Sequence, residues 1–232
     1  MLQALAEGLF VAERPGRLFG ITVPERMVAV RLSAGGLALY APWACSPELR
    51  RALGELGTVR FVCQPNLWPA PELDGWRLAF PEAELLAPRG APRGALGSPP
   101  TELEDEPPTG LAPDVAVHAV RGFPALGELA WCHRPSRTLL LGDLVAQVPD
   151  TGSLALRWLV RLGLAGASFG PTRDVRWLLT DRRAARKSLE RLLAWDFERI
   201  VMRRGPIVAT AGKEALRRAF RWLEHAEPWW SA

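Results

Sequence analysis

Histidine, cysteine, lysine and tyrosine are all scarce in this 232-residue chain, which holds 3 His, 3 Cys and 1 Tyr, and whose lysines are Lys187 and Lys213. The cysteines, Cys45, Cys63 and Cys132, are odd in number, far apart and set in or beside apolar runs. That excludes a disulfide framework and a Cys-x-x-Cys zinc site, and it reads as buried thiols. Nothing approaches the roughly 18–20 consecutive apolar residues that cross a bilayer. The opening MLQALAEGLFVAERPG carries Glu7 inside its apolar stretch and has no basic leader. The expectation is a cytoplasmic protein with no membrane partner.

What is present is ordinary for a folded protein: 48% hydrophobic and 23% charged residues, enough chain for a substantial core. One domain over residues 1–232 is expected. The formal charge of +4 rests almost wholly on arginine and does not by itself imply nucleic acid.

The first third alternates apolar stretches with turn signals. Leu18–Val23, Met27–Leu32 and Leu37–Tyr40 read as strands, the last two joined at Gly35-Gly36. Ser46-Pro47-Glu48 reads as a helix start, with Leu49, Leu53 and Leu56 on one face and Gly57 as the stop. A strand over 58–63 ends at CQPNLWPAPELDGW, followed by a short helix over 71–80 and a strand over 84–87. Residues 88–113 are dense in Pro and Gly around an acidic knot at Glu102, Glu104, Asp105 and Glu106. They read as a long surface loop without a ladder or packed interior, a linker being the competing reading. Strands are expected over 115–120, 128–132, 138–145 and 199–202, and helices over Ser153–Leu164, Asp181–Trp195 and Gly212–His225. Two sheets face to face with helices outside follow from that order.

The stretch WCHRPSRTLLLGDL, 131–144, carries a buried strand that ends at Gly142 and hands Asp143 to the tip of a sheet, where functional groups are commonly mounted. Together with Pro65-Asn66 after an earlier strand and IVMRRGPIV before the last helix, it resembles the metallo-β-lactamase fold. RLFGITVPERMVAVRLSAGGLALYAP, CQPN, HRPSRTLLLGDL and WDFERIVMRRGPIV together resemble an uncharacterised branch of that superfamily, a domain-of-unknown-function family, over about Leu18 to Leu223.

The resemblance implies an α/β (α+β) architecture: an αββα sandwich of two mixed sheets. In metal-binding members, histidines after the strands and the Gly-Asp aspartate hold one or two zinc ions. In the branch resembled here, a His-His pair is expected shortly after Pro-Asn, and a His-Gly at the end of the last strand. This chain has Pro69-Ala70 and Arg204-Gly205 in those places, and only Asp143 is kept. A zinc site needs three or four His, Cys or carboxylate ligands. His118, His133 and His225 do not fall at ligand spacing, so no metal and no other cofactor is expected.

A carboxylate at that corner needs a counter-charge. Arg204, or Arg203 if the register slips by one, is the candidate, because guanidinium matches carboxylate geometry. The ligand-binding candidates are Asn66, Trp68, Asp143 and Arg204, with Trp43 and Trp68 as plugs of the old cavity. Catalytic candidates are His133 with Asp143, as a general base or a Ser136–His133–Asp143 relay. The alternative makes His133 a strand-end imidazole, and Ser136 lacks a nucleophile-elbow context.

Trp131, Trp158, Trp195 and Trp222 read as core. The arginines of 182–191 and 217–221 form either solvated helix faces or a surface for nucleic acid or an acidic partner. Trp229-Trp230 either folds back or enters a second subunit of a homodimer. The function expected is therefore a degenerate metallo-β-lactamase-like domain that binds a small molecule or a protein. A hydrolase using His133 and Asp143 is the first alternative, and nucleic-acid binding the second.

Overall fold

Strand β1 (Gln3–Ala6) leads into a long hairpin, β2 (Leu9–Leu18) and β3 (Ile21–Arg31), followed by β4 (Leu37–Tyr40), α1 (Pro47–Leu56), β5 (Val59–Cys63), α2 (Leu73–Ala79), β6 (Glu84–Pro88) and β7 (Thr101–Leu103). These seven strands form one sheet in chain order, antiparallel through β4 and parallel from β4 to β7. A second sheet of β8 (Val115–Ala119), β9 (Leu129–His133), β10 (Thr138–Leu141) and β11 (Arg199–Met202) has the order β11-β10-β9-β8, with only β10 and β11 parallel. Helices α3 (Arg173–Trp177), α4 (Arg182–Ala194) and α5 (Gly212–Ala219) and a 3-10 turn (Arg221–Leu223) complete it. The computed structural model describes residues 2–18, 21–68, 73–92, 99–147, 158 and 168–224.

Strand periodicity sorts the core into three layers. Between the sheets lie Val11, Val28, Val30, Tyr40 and Phe61 from the first sheet and Val117, Leu129, Trp131, Leu140 and Val201 from the second. Tyr40 donates its hydroxyl hydrogen to the Leu129 carbonyl at 2.7 Å, tying the sheets through a group that burial would otherwise penalise. Met27, Ala29, Leu39 and Val62 face the other way, against Leu53 of α1 and Trp76 of α2. Cys132, Leu139, Leu141 and Met202 pack outward against Leu189 and Leu192 of α4 and Leu216 of α5. The result is helix, sheet, sheet, helix.

Local signals place several boundaries. The Ser46 side chain accepts from the Leu49 N–H at 3.2 Å, and Pro47 stands in the first turn, where it forfeits no hydrogen bond. Asp181 caps α4 through the Ala184 N–H at 2.9 Å. The β3–β4 turn uses Gly35 and Gly36 at φ 85° and 86°.

Several expectations are corrected. Leu18–Val23 is not one strand, because Leu18 pairs with Ile21 at the tip of the β2–β3 hairpin. The 88–113 segment has both a ladder and an interior. Its β7 pairs in parallel with β6, and Leu103 and Leu111 are buried between the sheets. Asp105, within the acidic knot, accepts from the Ala119 N–H at 3.1 Å and lies 2.7 Å from His118 Nδ1. Helix α5 stops at Ala219, and α3 has no counterpart in the expected elements. Cys63 and Cys132 are buried but Cys45 is only partly so, and Trp158 is 62% exposed rather than core. The expected helix Ser153–Leu164 apart from Trp158, together with Pro69, Ala70, Pro71, His225, Trp229 and Trp230, lies outside the described residues.

Candidate functional site

Five chain segments converge where the two sheets meet at one end. Strand β3 crosses from the first sheet to the second there: Glu25 forms an isolated antiparallel bridge with Arg204, and the Arg26 N–H donates to the Arg203 carbonyl at 2.8 Å. The Arg26 side chain fixes the same crossing by donating from Nη1 to the carbonyls of Met202 and Gly205 at 2.9 and 2.8 Å, while its outer edge pairs with Glu13. Asn66 arrives just past β5, Glu128 just before β9, and Asp143 two residues past β10.

Asp143 is 5% exposed, and both its oxygens are engaged. Oδ2 accepts from Asn66 Nδ2 at 2.9 Å and from Arg203 Nη1 at 3.1 Å, and Oδ1 pairs with Arg204 Nη1. Arg203 is shared: its Nε and Nη2 donate to Glu25 Oε1 at 2.9 and 2.6 Å. Glu25 Oε2 accepts from Arg14 Nε at 2.9 Å, and the Arg14 guanidinium lies 5.0 Å over the Trp43 ring. The cluster therefore runs from Trp43 through Arg14, Glu25 and Arg203 to Asp143. Burial alone would raise the Glu25 carboxyl, yet the Arg203 charge and the arginine hydrogen bonds hold it below its usual range. Burial works against the Arg203 charge, and Asp143 and Glu25 outweigh it.

Glu128 is a site residue that the sequence reading does not single out. It is fully buried, and its carboxyl accepts from the Gly142 N–H, from the Asp143 N–H at 3.2 Å and from Asn66 Nδ2 at 3.1 Å. Asn66 thus donates one amide hydrogen to each of two neighbouring carboxyl groups. Burial, and next the charge of Asp143, push Glu128 up to about 8, against the pull of its three N–H donors. Gly142 makes the approach feasible: a Cβ there would stand 2.9 Å from Glu128 Oε1 and 3.0 Å from the Pro65 Cβ.

Of the expected ligand-binding residues, Asn66, Asp143 and Arg204 come together directly. Trp68 adjoins them, its N–H donating to Asn66 Oδ1 at 3.2 Å and its ring packing on the outer core of the second sheet. Asn66 is 1% exposed, so Asn66 and Asp143 lie behind the surface, whereas Trp68, Arg203 and Arg204 are partly open to solvent.

His133 does not join them. It pairs with Thr138 at the start of β10, and Asp143 lies five residues further on, roughly 16 Å of extended chain away. Ser136 Oγ lies 2.9 Å from Thr138 Oγ1 and 2.7 Å from His133 Nδ1, so the imidazole is tied into the turn between β9 and β10. The Ser136–His133–Asp143 arrangement is therefore corrected: His133 is a buried strand-end imidazole, its basicity lowered by burial. His118 lies beside Asp105 at the far edge of the second sheet.

The fold can be compared with solved structures. A metallo-β-lactamase from Pontibacter korlensis superposes with a TM-score of 0.63 at 14% identity, covering 97% of this chain and 99% of that one. The metallo-β-lactamase FIM-1 from Pseudomonas aeruginosa in its mono-zinc form gives 0.64 at 13%, covering 97% and 94%. The metal-soaked Flv1 flavodiiron core from Synechocystis gives 0.65 at 14%, covering 97% of this chain and 60% of that one. No protein-family model and no curated protein matches the sequence. The chain has the metallo-β-lactamase αββα fold.

One of these neighbours is a mono-zinc form and another a flavodiiron core, and the residues at this corner do not suit a metal ion. The Asp143 oxygens are taken by Arg203, Arg204 and Asn66, and the two guanidiniums bring positive charge directly against that carboxylate. Among the described residues no group of three or more His, Cys, Asp or Glu could hold a metal ion.

Proposed function

We propose that this protein is a metallo-β-lactamase-fold domain in which an arginine–carboxylate cluster stands in place of the metal centre. On this reading it acts by binding a small molecule or a protein rather than by metal-assisted hydrolysis. One observation carries the reading: both oxygens of Asp143, the one metal-ligand position the sequence retains, are engaged by arginine and asparagine. A zinc ion entering there would have to displace two guanidiniums from Asp143, and would gain one aspartate where a zinc site needs three or four ligands. A ligand would meet the Trp68 ring and the edges of Arg203 and Arg204, with Asn66 and Asp143 behind them holding the arginines in place.

The test is thermal unfolding with excess zinc and with a chelator. A group that binds the native state raises the melting temperature by mass action. Coincident curves are expected in both media. A chelator that lowers the midpoint, or zinc that raises it by several degrees, would contradict the reading.

A further inference from the structure

Two arginines of the cluster use the same edge of the guanidinium. Arg203 closes Nε and Nη2 on Glu25 Oε1 at 2.9 and 2.6 Å, and Arg26 closes Nε, at 2.9 Å, and Nη2 on Glu13 Oε1. The Nε–H and one Nη2–H point the same way, so this edge offers two parallel donors to an oxyanion. Arg204 has the same edge without an acceptor. Its Nη1 pairs with Asp143 Oδ1, its Nη2 stands 3.9 Å from Glu25 Oε1, beyond hydrogen-bond reach, and its Nε is buried with no hydrogen-bond partner among the described residues.

The neighbouring carboxyl groups are already committed. Both oxygens of Asp143 and both of Glu25 accept from Asn66 or from arginine, and Glu128 accepts from Asn66 and from the N–H groups of Gly142 and Asp143. A buried donor on a charged group costs its full desolvation when it has no acceptor, and native structures seldom leave one unmatched. The Arg204 side chain is 19% exposed, so an acceptor can reach it from solvent.

We propose that the Nε–Nη2 edge of Arg204 binds the oxyanion group, carboxylate or phosphate, of a small molecule. The proposal rests on the metal-free reading of this corner and narrows its ligand to an anion. A water molecule accepts from such donors but brings no charge, whereas an oxyanion brings two oxygens and a charge opposite to that of the guanidinium. A protein face is disfavoured as the occupant, because the side chain is mostly covered and its Nε sealed, which calls for a compact group.

The experiment is thermal unfolding of the whole protein, with and without a chelator, during titration with inorganic phosphate or with acetate in place of chloride at constant ionic strength. At least one ion should raise the melting temperature with saturation, by about 3 °C at a tenfold excess over its Kd. Saturation separates binding from the general stabilisation that phosphate gives at high concentration. The ion with the lower Kd names the group, phosphate or carboxylate. Arg204→Lys keeps a cation for Asp143 but loses the two-donor edge, and should bind at least about tenfold more weakly. Arg217→Gln, at an exposed arginine of α5, should bind as the parent does. Circular dichroism checks that both variants fold. Where Arg204→Lys does not, the arginine Nε–H NMR signals of the unmodified protein decide, one of which should shift with the same midpoint. No saturable response to either ion, with curves that coincide with and without chelator, would overturn the oxyanion assignment and leave the metal-free reading standing. Equal affinity of Arg204→Lys, or lost binding in Arg217→Gln, would also overturn the assignment. A midpoint lowered by the chelator would overturn both.

Discussion

Asp143 and Arg203 meet at 3.1 Å, an aspartate nearly sealed from solvent against an arginine whose other edge holds Glu25 at 2.6 Å. Two carboxylates thus share one guanidinium, while Arg204 closes the opposite side of Asp143 and Arg14 the opposite side of Glu25. Removing the shared cation leaves two mostly buried anions, Asp143 with Arg204 and Asn66, and Glu25 with Arg14 and a more distant Arg204. Arg203→Met is expected to cost about 3 kcal/mol of stability in urea unfolding. The double variant Arg203→Met/Asp143→Asn should lose less than the sum of the single losses, because the second change removes the stranded charge. Strict additivity would mean that the pair is not coupled.

Glu128 gives the protein a pH dependence of unusual sign. Its carboxyl is raised to about 8 in the folded state. The unfolded chain releases that proton near 4.3. Between these values the folded state binds the extra proton, so stability is fullest at the acid end and falls as pH rises, by at most about 1.4 kcal/mol per unit. Glu25, held low by Arg203, acts oppositely and withdraws stability only as pH drops below the ordinary carboxylate range. Urea midpoints should decline from pH 5 towards about 8 and then level. Glu128→Gln should flatten that decline, and an unchanged slope would remove Glu128 as its source.

The Asn66 amide is matched to its place because it brings two hydrogens to two carboxyl groups. Asn66→Asp keeps the shape, replaces both donors with acceptors and adds a third acidic group. The expected loss is about 3 kcal/mol, or roughly a 10 °C lower melting temperature for a chain of this size. A variant melting with the parent would show that the amide does not bridge the two groups.

Asp105 pins the acidic segment to β8 through the Ala119 N–H, His118 and Arg121. Asp105→Ala removes the acceptor from all three. Limited proteolysis of the variant should cut near residues 104–110 markedly faster than in the parent, since local opening there no longer breaks these bonds. Equal cutting rates would place the restraint elsewhere, in buried Leu103 and Leu111.

Much of this arrangement is legible in the residues, and the rest is hidden for physical reasons. The Gly35-Gly36 turn, the Ser46 and Asp181 caps and the strand that delivers Asp143 are local signals, and local signals survive folding. Strand β2 is hidden because Pro15 and Gly16, residue types depleted in strands, lie within it: Pro15 is opposite Pro24 in the long hairpin, and Gly16 leaves room for the Glu25 side chain. With β2 unseen, Arg14 and Glu25 cannot be placed at the site. Glu128 stands before Leu129-Ala130-Trp131 like any polar residue at a strand start, and no spacing rule announces that Gly142 and Asn66 will meet it. The acidic segment misleads because its Pro and Gly mask two buried leucines, Leu103 and Leu111.

On the proposed reading, guanidinium stands at Asp143 in place of a metal ion. Elemental analysis of the purified, dialysed protein tests it most directly. Zinc, iron and manganese are expected far below one equivalent per chain. A stoichiometric ion that survives dialysis and is lost on Asp143→Asn would contradict it.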